Sequence, residues 1–168
     1  NPQDVDTFII NGAECEPFIT VDHMTMLAHA KEIVEGTKNT MKFLSIKRGI
    51  IAIEGNKPDA IALFKDIVKD EAGIEIFELR SVYPQGAERV IIYETTGRHL
   101  IAGKLPAEVG VIVSNVNTIL KLQQYLETGM PLVSKGLTVD GNLIAQPKNV
   151  EVPIGTKICD VIDFCGGT

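Results

Sequence analysis

The chain has 168 residues, 45% of them hydrophobic, and a formal net charge of -6. That length supports one core with room for a small second lobe. The acidic balance excludes the basic footprint of a nucleic-acid binder. With 5% aromatics and no Trp there are no extended stacking platforms for single strands. No apolar run approaches the roughly 20 residues that span a bilayer, so direct membrane insertion is not expected. The chain opens Asn1-Pro2-Gln3 without a methionine and reads as a piece of something longer, so targeting segments are not judged from it.

Thr7 to Ile10 is the first strand, and it ends abruptly in Asn11-Gly12. Asp22 is placed to cap a helix from about His23, with Leu27, Ala30, Val34, Met41 and Leu44 on one apolar face; at Gly36 the helix either breaks or continues at a cost of about 1 kcal/mol relative to Ala. Gly49 to Ile53 is a continuous apolar run that suits a buried parallel strand. It ends in Glu54-Gly55-Asn56-Lys57-Pro58, and Pro58 suits the first turn of a second helix carrying Ile61, Phe64, Ile67 and Val68 inward. Ile74 to Leu79 alternates and predicts a third strand. A third helix is expected from near Gln85 to before Gly97, although Val90 to Tyr93 alone also suits a strand. After a loop over 97 to 108, Val109 to Val113 is a fourth strand, and the helix behind it stops at Gly129. This alternation predicts an α/β fold with a mainly parallel sheet and flanking helices. Its strand-end loops gather along one edge.

Beyond Gly129 the rhythm changes. Leu137 to Val139, the turn Asp140-Gly141 and Leu143 to Ala145 predict a hairpin. Val150 to Val152 is a further strand, and Lys157 to Phe164 a short helix closed by Gly166-Gly167. The division is therefore 1–129 for the α/β domain and 130–168 for a small α+β lobe.

Three segments carry polar groups at strand ends: Asn11 to Glu16, Tyr83 to Glu88, and Ser114 to Thr118. Asn11 offers a donor and an acceptor, while ionised Glu14 and Glu16 accept only, a set that can grip a hydroxyl-rich chain such as ribitol. The plainer reading of that first segment is a solvated turn with two surface glutamates. Gly86 permits close backbone approach, and Glu88 falls in the first turn of a helix, where a carboxylate is favourable in any case. Asn115 and Thr118 open a helix whose free N–H groups can face an anion, and Asn115 also reads as an ordinary cap. Open sheets bind ligands at such strand ends, so these residues are expected to line one crevice. The cysteines, Cys15, Cys159 and Cys165, lack metal-ligand spacing and read as reduced residues of a cytoplasmic protein. His23, His29 and His99 form no metal set and no triad order.

The segment Ile10-Asn11-Gly12-Ala13-Glu14-Cys15-Glu16-Pro17-Phe18 resembles the flavin-site segment of the Rnf electron-transport complex C subunit, and more distantly the flavin subunit of respiratory complex I. The resemblance runs over nearly the whole chain. Pro147 to Thr156 with the terminal Gly-Gly is similar to the β-grasp soluble-ligand-binding module that follows the flavin domain in that family. The resemblance implies flavin mononucleotide (FMN) as cofactor, NADH as a possible substrate and 4Fe-4S clusters outside this stretch. It implies Asn11, Glu14, Glu16, Tyr83, Gly86, Glu88, Asn115 and Thr118 as flavin-site residues, with no catalytic side chain and no metal ligand here. Ala13 and Ala87 stand where complex I carries acids, which puts complex-I-like nicotinamide contacts in doubt. The family's Gly-rich phosphate loop, upstream of the first segment, is not in this sequence. The chain alone is therefore expected to fold but to hold FMN poorly or not at all.

The implied function is a fragment of a flavin-dependent electron-transfer subunit passing electrons from NADH through FMN to iron–sulfur clusters. The alternative is a non-enzymatic partner-docking module with a decayed flavin site. Implied partners are other subunits of an electron-transfer complex or a soluble reductase. The implied location is cytoplasmic or peripheral on the inner face of the cell membrane.

Overall fold

Four parallel strands run through the centre of the molecule in the order β3-β2-β1-β4: β1 (Thr7–Gly12), β2 (Arg48–Glu54), β3 (Ile74–Leu79) and β4 (Val111–Asn115). The computed structural model describes residues 4–167, so the outer ends of the two expected ranges, 1–3 and 168, lie outside the described residues. From Gly49 to Glu54 every residue of β2 is buried, as a central strand covered on both faces requires. Helices α1 (Val21–Leu44), α2 (Pro58–Val68) and α4 (Val116–Thr128) share one core with Phe8, Ile10, Ile51 and Ile53. Helix α3 (Glu88–Thr96) packs Ile91 and Ile92 against Ile9, Ile50 and Ala52 on the opposite face. The side chains of β1 and β2 therefore alternate between two cores, one on each side of the sheet.

From β1 the chain winds outward through β2 to β3, then returns to place β4 on the other side of β1. That reversal makes the β1–β4 boundary the topological switch point, where open sheets leave a crevice at the strand ends. Asn11 and Asn115 are register partners across it.

Helix α1 takes the second of the two outcomes open at Gly36, continuation, and differs from the expected helix at its start. It runs unbroken through Gly36, because a Cβ there would lie 2.8 Å from the Ile119 carbonyl oxygen, and glycine lets α4 approach α1 closely. Its backbone departs from helical geometry at His29 instead. It also begins two residues early, with Thr20 as N-cap and no side-chain cap, so Asp22 lies inside the first turn. Helix α3 begins at Glu88 rather than Gln85, because turns through Val82 and Pro84 occupy the preceding residues. Pro106–Val109 forms a short 3-10 turn, and β4 starts only at Val111. At the end of α4, Gly129 takes the left-handed conformation and donates to the Tyr125 carbonyl.

The expected hairpin is corrected. β5 (Ser134–Val139) pairs antiparallel with β6 (Lys148–Pro153), and Leu143 to Ala145 belongs to the loop between them. Gln146 N donates to the Cys165 carbonyl and Ala145 N to that of Gly167, so this loop turns toward the end of α5 (Ile158–Phe164) instead of pairing with β5. The lobe rests on the sheet domain through the Thr138 hydroxyl, which accepts from the backbone N–H groups of Thr20 and Val21 at 3.1 Å. Lys121 of α4 adds an ion pair with Glu151 at 3.0 Å.

Candidate functional site

The three polar segments meet at the strand ends, but they do not line one cavity. The Asn11 amide donates to the Gly86 carbonyl at 3.0 Å and accepts from Ala13 N at 3.0 Å. Gly86 N in turn lies 2.8 Å from the Cys15 sulfur, and a Cβ at Gly86 would crowd Cys15 and Ala13. Loop 80–87 is thus fastened to the end of β1, and glycine is required by that close approach. Asn11 and Gly86 act here as the fastening between segments.

Glu14 turns inward. Its side chain is 3% exposed, and its carboxylate accepts from Asp22 N at 2.6 Å and His23 N at 3.3 Å. It thereby serves the open N–H groups at the start of α1, the role a capping side chain fills when no local residue does. Lys57 Nζ lies 3.7 Å from Glu14 and 2.8 Å from Glu54, whose Oε2 also accepts from Glu14 N. All three side chains are buried, so one ammonium is shared between two carboxylates. Burial pushes the Glu14 carboxyl above its ordinary value, with the Asp22 charge adding to the effect and the α1 N–H groups and Lys57 opposing it.

Asp22 connects this cluster to the third segment. Its carboxylate accepts from the Asn115 amide at 2.6 Å and from the Asn117 amide. Asn115 Oδ1 accepts from Asn117 N at 2.8 Å and so caps α4, in line with the plainer reading of the sequence.

The first turn of α1 therefore stands between two cavities. The first, about 390 Å³, is lined by Glu14, Glu16, His23, Glu54, Lys57 and Tyr83 among others. The second, about 740 Å³, lies between α4 and the start of β5, with Asn115, Thr118, Leu122, Tyr125, Leu132 and Lys135 in its wall. Glu88 is exposed at the head of α3 and lines neither. The expectation of one crevice is corrected to two, because the contacts of Glu14 and Asp22 hold α1 in the gap.

Sequence reasoning missed Glu54, Lys57 and the carboxylate role of Asp22. A charged residue closing the buried run Gly49–Ile53 was the available signal for Glu54. Nothing local marks Lys57, which sits in an ordinary helix-start context. Gln85 is also new: it is 1% exposed, and neither atom of its amide has a hydrogen-bond partner.

The donor sets of the two cavities, on either side of the first turn of α1, differ. In the first cavity the one buried ammonium is already committed to two carboxylates, leaving acceptors for hydroxyl and N–H groups. In the second, the start of α4 faces the space with Thr118, and Lys135 stands in the wall with Asp22 and with Lys121, which is paired to Glu151 at 3.0 Å. A helix N-terminus with a nearby cation suits a phosphate.

Residues 1–124 match the family model for the Nuo51 FMN-binding domain, and residues 137–168 match the SLBB domain. Over 97% of its length the chain is 43% identical to the C subunit of the proton-translocating ferredoxin:NAD(+) oxidoreductase complex of Clostridium ljungdahlii. It is 37% identical over 97% of its length to the cobalamin reductase PduS of Citrobacter freundii. The chain spans about a third of these relatives, 35% and 36% of their lengths. Among solved structures, a chain of the NAD+-reducing NiFe-hydrogenase in its H2-reduced state superposes with a TM-score of 0.75 at 19% identity, over 95% of this chain and 32% of that one. That likeness is one of fold.

Proposed function

Since this chain belongs to the Nuo51 FMN-binding domain family, we propose that it is the flavin-holding part of an electron-transfer subunit. Its relatives are subunits of NAD-linked oxidoreductase complexes and a cobalamin reductase, which supports partner subunits or a partner reductase for this chain as well. In this reading the sheet domain, up to about Gly129, holds FMN, and the lobe from about Met130 is a separate soluble-ligand-binding-type unit. When bound, the flavin supplies the chemistry, taking a hydride from a nicotinamide and releasing electrons one at a time toward 4Fe-4S clusters that lie outside this stretch. No described helix is long and apolar enough to cross a membrane. In this reading, attachment to the inner face of the cell membrane comes through the partners.

The observation that carries the proposal is the difference in donor sets across the first turn of α1. Glu14, Glu16 and Glu54 share one side with Lys57, while the other holds the α4 N-terminus and Lys135, with Asp22 in its wall and Lys121 paired to Glu151. Asn115 and Thr118 take the phosphate end. Glu16 and Tyr83 face the ribityl and ring, with Gly86 keeping the loop low over β1. Glu14 acts from beneath by holding the start of α1, and Asn11 by anchoring Gly86. Glu88, exposed at the head of α3, lies outside both cavities and has no contact to the flavin in this reading. No side chain has to serve as nucleophile or general acid.

The test is quenching of FMN fluorescence by the full-length parent protein, since this chain alone is expected to hold FMN poorly. Saturable quenching is expected, weakened several-fold in Thr118→Val with an unchanged Tm. Absence of saturable quenching contradicts the proposal. A strip of exposed apolar side chains, Tyr125, Leu126, Met130, Leu132 and Val133, favours a second reading as a partner-docking module. That reading requires no flavin at all, so the same titration separates the two.

A further inference from the structure

Asp22 occupies a position that its sequence context does not explain. It sits in the first turn of α1, where a carboxylate is ordinarily free to face the helix N-terminus. Here both carboxylate oxygens are engaged with the opposite segment: Oδ2 accepts from Asn115 Nδ2 at 2.6 Å, and Oδ1 from Asn117 Nδ2. The acceptor ends of the same two amides are used as well. Asn115 Oδ1 accepts from Asn117 N, and Asn117 Oδ1 accepts from the Thr25 hydroxyl at 3.2 Å. Both asparagines are thereby fixed in amide orientation, because only the NH2 side can face a carboxylate. The Asp22 backbone N–H is held by Glu14 at 2.6 Å, so the carboxylate is itself presented from a buried support.

We propose that Asp22 is a positioning residue for the second cavity, holding the Asn115–Thr118 segment through the two asparagine amides so that the α4 N-terminus and the Thr118 hydroxyl face the bound phosphate. This rests on the reading of that cavity as the phosphate end of the flavin site. Asp22 does not touch the ligand in this role. Its negative charge near an anion site is offset by the two amide donors it engages, whose bonds are shorter and stronger to a charged acceptor than to a neutral one. In Asp22→Asn a single carbonyl oxygen remains to accept, and an amide NH2 is set against another NH2, so one asparagine is released. In Asp22→Ala both are released.

The experiment is an NMR titration of the 15N-labelled chain with FMN up to millimolar concentration, on wild type, Asp22→Asn and Asp22→Ala, with Tm measured in parallel. In the wild type the side-chain amide signals of Asn115 and Asn117 should be dispersed and slow to exchange, and FMN should shift the Asn115 and Thr118 backbone signals. In Asp22→Ala both side-chain amides should move to the position of solvent-exposed asparagine, and the Kd for FMN should rise about tenfold. Asp22→Asn should fall between. A lower Tm with unchanged FMN-induced shifts and unchanged Kd would mean a purely structural residue and overturn the proposal, as would asparagine amide signals that do not respond to either variant. If FMN shifts nothing in the wild type, the flavin reading fails and the phosphate-facing role falls with it, while the side-chain amides still show whether Asp22 orders the segment.

Discussion

The sheet domain and the lobe are built on different terms. In the sheet domain, β2 is buried along nearly its whole length and two cores flank it. Between Ser134 and Gly167, by contrast, only Val161 and Cys165 are buried among the described residues, while Leu143, Ile154, Ile158 and Phe164 are exposed. Stability on the first side comes from area removed from water. On the second it leans on polar contacts to α1 and α4, which net little each. The candidate site lies at the strand ends of the well-buried part, and Ser134 to Gly136 of β5 complete the wall of the second cavity.

The largest effect that sharpens this contrast is at Phe64, fully buried under the sheet. Phe64→Ala should lose about 3–5 kcal/mol by denaturant unfolding. Val161→Ala, in the lobe, should lose less than half of that, and equal losses would show that the lobe has a core of its own. Lys57→Met should come next, at about 3–5 kcal/mol or somewhat below, because it leaves Glu14 and Glu54 buried without their ammonium. The additional substitution of both glutamates by Gln should recover much of it. Gly36→Ala sets a helix-propensity gain of about 1 kcal/mol against a clash with the Ile119 backbone. Backbone cannot yield as a flexible side chain can, so a net loss of about 1–3 kcal/mol is expected in the same unfolding measurement.

The two regions should also respond oppositely to pH. Glu14 has a raised pKa because burial disfavours its charge, so its contribution is fully present below the ordinary value near 4.5 and is lost as pH rises through the raised one. Glu151, at the lobe contact, has a lowered pKa, through the Ser134 hydroxyl first and Lys121 second. Its contribution is present above 4.5 and is lost as pH falls through the lowered value. Stability measured against pH should flatten above 4.5 in Glu14→Gln and below 4.5 in Glu151→Gln. The smallest effect is Lys121→Ala, whose partly exposed ion pair should contribute no more than about 1 kcal/mol.

Most of the sheet was legible in the sequence, because a parallel strand buried on both faces is written as an apolar run. β3 occupies Ile74–Leu79 as its alternation predicts, and Gly129 ends α4 as a left-handed cap. The lobe was less legible because its strands carry little burial to enforce a pattern. Asp140-Gly141 marked a turn, but the partner strand lies at Lys148–Pro153, beyond a loop. At the site, the convergence of three segments followed from strand ends sharing one edge. What separated them into two cavities did not, because Glu14, Lys57, Asp22 and Asn115 come together only through contacts between distant parts of the chain. Gly36 shows the same limit: local propensity leaves break and continuation both open, and only packing against α4 gives the reason for a glycine there.

The central claim is that this fold holds a flavin nucleotide with its phosphate toward the α4 N-terminus and its ring toward the glutamates. Parallel titrations of the chain with FMN and with riboflavin, which lacks only the phosphate, test it most directly. The account predicts that FMN binds about tenfold more tightly, the worth of roughly 1.4 kcal/mol from a helix N-terminus with a nearby lysine. That advantage should shrink as salt is added. Equal affinities, or tighter binding of riboflavin, would contradict it.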